Sequence, residues 1–245
     1  MFGKNPIRKI DKDPADGKLA VQEVFYTIQG EGPFSGHPAV FIRLAGCHLA
    51  CTFCDTEFES GINNRLTAKE ISDQAWATVP VRSNPIVVLT GGEPMRQQLA
   101  PLVHILLDHG GFQKVQIETA GNLWEPELEH YLGTGQLLIV CSPKTAHVHK
   151  EIVRHCRHWK YVVRWGWTGT DGLPAQPTQL NNEQPPWNFV YHRPTLPRSD
   201  DTVWISPCDD HDPEKNALNV KQAVEVCLKH GYRLSLQPHK IVNLP

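Results

Sequence analysis

Cys47, Cys51 and Cys54 fall within one short run, GCHLACTFCDT, with the spacing C-x3-C-x2-C. A four-iron cluster normally takes four protein thiolates, so a compact set of three leaves one iron open to a ligand that binds through nitrogen and oxygen. A structural zinc site is the other reading, and it needs a fourth nitrogen or sulfur donor to close its tetrahedron. His48 lies inside the run, but its place between two ligands would require an awkward loop, and a zinc ribbon would carry a second ligand pair at a regular distance. No such pair is present in the sequence. Cys141, Cys156, Cys208 and Cys227 stand singly among apolar residues and are expected to be small buried hydrophobes.

Two further features carry chemistry. In TGGEP, Thr90 to Pro94, the paired glycines let backbone come close to a ligand, and Glu93 adds negative charge beside that approach. The combination suits an ammonium group. In the apolar run AVFIRLA, alternation puts Phe41 and Arg43 on one face and Ile42 and Leu44 on the other. A guanidinium on an inward face needs an anion, which is either a substrate carboxylate or a neighbouring acid.

The elements that must position these residues read as an α/β chain. Short apolar runs near 20–25, 39–45, 86–90, 114–118, 137–141, 159–164, 202–206 and 232–237 predict strands, the first of them a short accessory one. Between them, Thr67 and Glu70 form a capping box ahead of a helix. Leu99, Leu102, Val103, Leu106 and Leu107 recur at helical spacing over 98–109, and Ala217, Val220, Ala223, Val224, Val226 and Cys227 mark a helix over 213–229. In parallel α/β folds ligands gather at the carboxyl ends of the strands. The cysteine loop, TGGEP, ETAGN (Glu118 to Asn122), SPK (Ser142 to Lys144) and QPHK (Gln237 to Lys240) each follow a predicted strand there. Residues 165–201, rich in proline and tryptophan, break the rhythm and read as an irregular insertion.

Composition narrows the function. The 245 residues, 40% hydrophobic, suffice for one domain over 1–245. The 24 basic and 26 acidic side chains leave almost no net charge and form no long run, which argues against nucleic acid or an anionic membrane as main partner and for a small substrate. The polar N-terminus lacks the apolar segment of a signal peptide, and no stretch has the length of a transmembrane helix. Seven cysteines without framework spacing fit a reducing cytoplasm.

The cysteine run, with Phe53 before its third cysteine, and the downstream GGEP resemble the radical S-adenosylmethionine (SAM) signature. With QGEGPFSGHPAVFIRLAGC, CTFCDT, TGGEP, SPK and the closing Q-x-H-K, the chain resembles the 7-carboxy-7-deazaguanine synthase family from about residue 20 onward. The resemblance implies an incomplete, TIM-like β/α barrel of the radical SAM type, working as a homodimer. The implied activity is a lyase that converts 6-carboxy-5,6,7,8-tetrahydropterin to 7-carboxy-7-deazaguanine with loss of ammonia in queuosine biosynthesis. It implies a 4Fe-4S cluster, SAM used catalytically, magnesium (Mg2+) and a flavodoxin- or ferredoxin-like reductant. By position, Cys47, Cys51 and Cys54 would hold the cluster. Phe53, Cys54, Asp55, Gly92, Glu93, Ser142, Pro143 and Lys144 would lie against SAM, and Thr56 would bind magnesium. Ile28, Gln29, Gly30, Glu31, Arg43, Thr90, His239 and the terminal carboxylate of Pro245 would form the substrate shell, with His239 either shuttling a proton or only hydrogen-bonding the substrate. A glycyl-radical-enzyme activase is the nearest rival, and a noncatalytic iron-sulfur or metal-binding module is the rival from another class. The QGEG segment and Arg43 favour a small acidic substrate over the activase, and the noncatalytic module would leave GGEP, SPK and QPHK as unrelated turns.

Overall fold

Side-chain alternation along the strands decides the architecture. The computed structural model describes residues 5–80, 83–175, 193–238, 242 and 244. Its strands are β1 (Leu19–Ile28), β2 (Pro38–Leu44), β3 (Arg65–Leu66), β4 (Ile86–Gly91), β5 (Val115–Thr119), β6 (Leu137–Cys141), β7 (His158–Val163), β8 (Thr202–Pro207) and β9 (Arg233–Leu234). They form one nine-stranded sheet in the order β3-β1-β2-β4-β5-β6-β7-β8-β9. β1 runs antiparallel to β2 and to β3, and every neighbouring pair from β2 onward is parallel. The two edges do not meet among the described residues, so the sheet is an incomplete β/α barrel.

Helices α1 (Ala68–Thr78), α2 (Ala100–His104), α3 (Glu129–Gly133), α4 (Lys150–His155) and α5 (Pro213–His230) accompany the sheet. Val40, Ile42, Leu44, Val87, Leu89, Ile117, Trp159 and Tyr161 face outward and pack with Ile71, Leu102, Ile152 and Val226 of the helices into the main core. The alternate residues face inward. Ala39, Phe41, Ile86 and Val88, with Phe25 and Phe34 against them, form a small apolar floor. Above that floor the inward positions turn polar, with Arg43, Thr90, Glu118, Lys160 and Ser206 all on the wall of one cavity.

Several elements differ from the sequence expectation, each for a local reason. β1 is a ten-residue strand and not a short accessory one; a register shift between Val21 and Glu23 hides its alternation in the sequence. The helix expected over 98–109 is α2 followed by a π-helical turn at Ile105–His109. In α5 the buried stripe is Asn219, Ala223, Val226 and Cys227, while Val220 is exposed. Asn219 takes the inward place because its amide donates to the Cys208 carbonyl and accepts from the Trp165 N–H. The strand expected over 232–237 is only two residues long, although the Ser235 N–H still donates to the Ile205 carbonyl at 2.9 Å, and Gln237, at φ 52°, turns the chain beyond it. The described parts of the insertion pack onto the barrel, with Leu173 buried and the Thr195 carbonyl accepting from the Tyr161 hydroxyl at 2.7 Å. Among the described residues no helix is long and apolar enough to cross a membrane.

Among the described glycines, the one with least room for a side chain is at the end of β4. Gly91 has φ 137°, and a Cβ there would fall 2.0 Å from the Leu44 carbonyl oxygen of β2. Gly91→Ala is therefore expected to destabilise the protein by about 3 kcal/mol through backbone strain and overpacking. Denaturant unfolding checks this, and a wild-type midpoint for the variant would contradict the contact.

Candidate active site

The carboxyl ends of the parallel strands surround a cavity of about 400 Å3. Cys47, Cys51 and Cys54 line it, the first buried and the other two half-buried. The Leu49 N–H points at the Cys47 sulfur at 3.3 Å, an orientation that would stabilise a thiolate. Burial pushes all three thiols up, Cys51 to about 12 despite the opposing charge of Lys144. Iron must therefore displace protons to bind. Among the described residues no group of three or more His, Cys, Asp or Glu side chains is placed to hold a single metal ion, and three soft sulfur donors lining one cavity suit a larger iron-sulfur cluster. His48, the fourth ligand a zinc site would need, lies instead among Glu93, Asn122 and Arg96; burial pushes its imidazole down.

The TGGEP turn is fixed to the cysteine loop by backbone. A Cβ on Gly92 would meet the Gly46 carbonyl oxygen at 2.3 Å and the Cys47 Cβ at 2.8 Å, and the Glu93 N–H donates to Gly46. The paired glycines thus admit the neighbouring strand end and loop. Glu93 is buried and accepts from the Thr119 hydroxyl and the Ala120 N–H, both at 2.7 Å, and from the Met95 N–H at 3.0 Å. It ties the ends of β4 and β5 together beside the cysteines.

The remaining sequence-assigned residues divide. Phe53, Asp55, Thr56, Gly92, Ser142 and Lys144 line the cavity, as do Gln29, Glu31, Arg43 and Thr90. The Thr56 hydroxyl donates to Asp55 at 3.2 Å, and Lys144 holds the Ser142 hydroxyl at 2.6 Å. Pro143 is buried off the cavity wall, and Ile28 and Gly30 also lie off it. His239 and Pro245 lie outside the described residues, as does the part of the insertion from 176 to 192. Arg43 points inward as alternation requires, and its Nε donates to Glu23 at 2.6 Å, so the neighbouring-acid alternative is realised in part. Its two Nη atoms have no hydrogen-bond partner among the described residues, and half of the Glu23 side chain is exposed.

Three wall residues, Lys160, Glu118 and Gln237, received no site role from the sequence, the last two standing there only as the first residues of turns. Lys160 of β7, with 13% of its side chain exposed, forms an ion pair with Glu31, whose other oxygen accepts from Gln237 at 2.6 Å. Glu118 of β5 accepts from Gln29 and Gln116 at 3.0 Å each, and from the Thr90 hydroxyl at 3.3 Å. The clue that marked Arg43, a charge inside an apolar strand, applies equally to Lys160. The carboxyls are split electrostatically. Burial pushes Glu31 up, but the charge and hydrogen bond of Lys160 and the hydrogen bond of Gln237 outweigh it and hold the carboxyl low. Burial pushes Glu118 up, opposed by Lys160 and reinforced by Glu31, and it ends above the usual range.

Residues 41–164 match the Radical SAM superfamily. The 7-carboxy-7-deazaguanine synthase of Rhodospirillum rubrum is 43% identical over 259 residues, covering 100% of both chains. The chain belongs to the 7-carboxy-7-deazaguanine synthase family. The synthase of Rickettsia prowazekii is 36% identical, covering 100% of this chain and 96% of its own. The crystal structure of QueE from Escherichia coli, at 21% identity, superposes with a TM-score of 0.58 over 90% of this chain and 94% of that one, which supports the fold. The fold is thus the incomplete TIM-like barrel of the radical SAM type, and a synthase of this family uses a 4Fe-4S cluster and SAM.

The buried pair yields a stability test. Lys160→Met leaves Glu31 without its cation and is expected to cost about 3 to 5 kcal/mol at neutral pH. In the folded wild type Glu31 is held low, so the stability it contributes is present above the unfolded carboxyl's pKa and is lost as pH falls through the depressed value. In the variant, burial makes Glu31 take up its proton at higher pH, so the gap between the two proteins narrows on acidification. Denaturant titrations from about pH 8 down to about pH 4, spanning the ordinary carboxyl range, check this; a gap independent of pH would contradict it.

Proposed function

We propose that this chain converts 6-carboxy-5,6,7,8-tetrahydropterin to 7-carboxy-7-deazaguanine with loss of ammonia, as a radical SAM lyase of queuosine and 7-deazapurine biosynthesis. The observation that carries this reading is a pair of opposite charges on the wall of the cavity that holds the three thiols. Glu31, kept ionised by Lys160, suits the N–H donors of an amino-pyrimidinone edge, and Arg43, with both Nη atoms available, suits a carboxylate. The pterin carries both groups.

Cys47, Cys51 and Cys54 are assigned to the cluster, and Phe53, Asp55, Gly92, Glu93, Ser142 and Lys144 to the walls around SAM, with Pro143 shaping the last turn. When bound, the cluster and SAM supply the hydrogen-abstracting radical. The protein's part is to bind, orient and exclude water. Arg164 supports this by lying over the rings of Phe53 and Trp167, at 5.7 and 5.6 Å, while pairing with Asp210 at 2.6 Å. Thr56, with Asp55 beside it, offers the oxygen donors magnesium prefers. Ile28 and Gly30 shape the turn that presents Gln29 and Glu31. Glu118, the carboxyl pushed up, is assigned to hold the proton that the departing amine requires. His239 and Pro245 keep the substrate-shell assignment that the family resemblance implies.

The whole of 1–245 is read as one domain. Exposed Leu218 and Leu228 on α5 support a homodimer, and seven free cysteines support a cytoplasmic setting, where a flavodoxin- or ferredoxin-like protein would supply the electron.

Anaerobic reconstitution followed by incubation with reductant, SAM, magnesium and the carboxytetrahydropterin tests the activity. Formation of 7-carboxy-7-deazaguanine and ammonia, read by absorbance and mass, is expected. Irreversible SAM cleavage with no deazapurine would contradict it. Alanine at Cys47, Cys51 or Cys54 should abolish cluster absorbance, while alanine at Cys141, Cys156, Cys208 or Cys227 should preserve it. Full iron content in Cys51→Ala would refute the ligand assignment.

Thr56→Ala should lower turnover chiefly by weakening magnesium use, with SAM binding nearly intact. Arg43→Lys should bind substrate about as poorly as Arg43→Ala, because an ammonium cannot reproduce the guanidinium fork. Wild-type substrate affinity in Arg43→Lys would remove the carboxylate role.

A further inference from the structure

Arg96 directly follows Met95 after GGEP, and no role on the cavity wall uses its charge. Its side chain is buried, at 4% exposure for the residue. Nη1 donates to the Lys9 carbonyl at 2.6 Å and Nη2 to the Ala45 carbonyl at 3.2 Å, while Nε is buried with no partner. The guanidinium presses against Gly46, where a Cβ would meet Nε at 3.0 Å and Nη2 at 3.1 Å. Gly46 immediately precedes the first cysteine of the cluster loop.

No carboxylate forms an ion pair with Arg96 among the described residues. The two acids whose charge reaches it are engaged elsewhere: Asp11 pairs with Arg65 at 3.6 Å, and Glu59 with Arg8. A buried guanidinium satisfied only by carbonyls is costly unless an anion lies near it. Three thiolates outweigh the positive charge of an iron-sulfur core, so a cluster bound beside Gly46 and Cys47 is such an anion. It becomes more negative when it gains an electron.

We infer that Arg96 is an electrostatic tuning residue, the buried counter-charge that makes the cluster easier to reduce. The inference rests on the cluster assignment made above. The electron comes from an external low-potential donor and enters the iron-sulfur core; no bond forms or breaks and no proton moves. Arg96 neither ligates iron nor touches substrate. It acts through its charge on the oxidised and reduced forms, which differ by one negative charge.

The test is a redox titration of reconstituted protein, without SAM, with viologen mediators and dithionite, read by the paramagnetic signal of the reduced cluster. Iron content and unfolding midpoints are measured for cluster-free and cluster-loaded protein. In Arg96→Met the one-electron reduction constant should fall about tenfold, a midpoint more negative by about 59 mV. Arg96→Lys should retain more than half of the wild-type advantage. Arg96→Met should also cost less stability in the cluster-free protein than in the loaded one, a difference that a purely packing role would not produce. A wild-type midpoint in fully loaded Arg96→Met, or equal shifts in the Lys and Met variants, would overturn the inference. If the Met variant loads only in part, a wild-type midpoint for its loaded fraction would overturn the inference as well. Failure of the wild type to assemble a cluster would instead overturn the cluster assignment, so the two failures are distinct.

Discussion

The close crossing of two backbones, Gly91 and Gly92 against Leu44 to Cys47, is the constraint on which the site depends. No side chain fits between them: a Cβ on Gly91 would fall 2.0 Å from Leu44 and one on Gly92 2.3 Å from Gly46. The loop bearing the three cysteines is therefore registered to the end of β4 by main chain, which cannot adjust as a rotamer can. Glu93 extends the registration to β5 through three hydrogen bonds. Three strand ends thus act as one rigid rim.

Below the rim, the inner face of the barrel changes from apolar to charged along the strand direction. Phe41 and Val88 close the floor, and Arg43, Glu118, Lys160 and Glu31 occupy the wall near the mouth. A buried ion pair is a weak device for stability, since apolar residues of similar size often do as well. Its presence on the cavity wall points to function. Lys160 keeps Glu31 charged, while burial moves Glu118 the other way, so two carboxyls on the same wall differ in readiness to hold a proton.

Much of this was legible in the sequence because spacing and strand order carry it. The cysteine run, TGGEP and SPK each follow an apolar run, and the strand ends do bring them to one rim. Arg43 was legible because it interrupts AVFIRLA. Lys160 interrupts WKYVV in the same way, but no motif follows it closely and it passed unnoticed. Glu118 was visible only as the first letter of a turn, because its inward direction depends on the register of β5. Asn219 and the shortness of β9 were not legible: one is a polar residue buried by a particular set of partners, and the other depends on how far the pairing with β8 runs, which an apolar run does not encode. Arg96 reads as one more polar residue after GGEP until its packing against Gly46 is seen.

The central claim is that the three-thiol rim presents an open iron to SAM inside the cavity whose wall carries Glu31, Lys160 and Arg43. The most direct measurement is electron-nuclear double resonance on the reduced, reconstituted protein with SAM labelled with nitrogen-15 at the methionine amino group. A hyperfine coupling between the cluster and the labelled nitrogen is the predicted result. SAM bound in stoichiometric amount with no such coupling would contradict the claim.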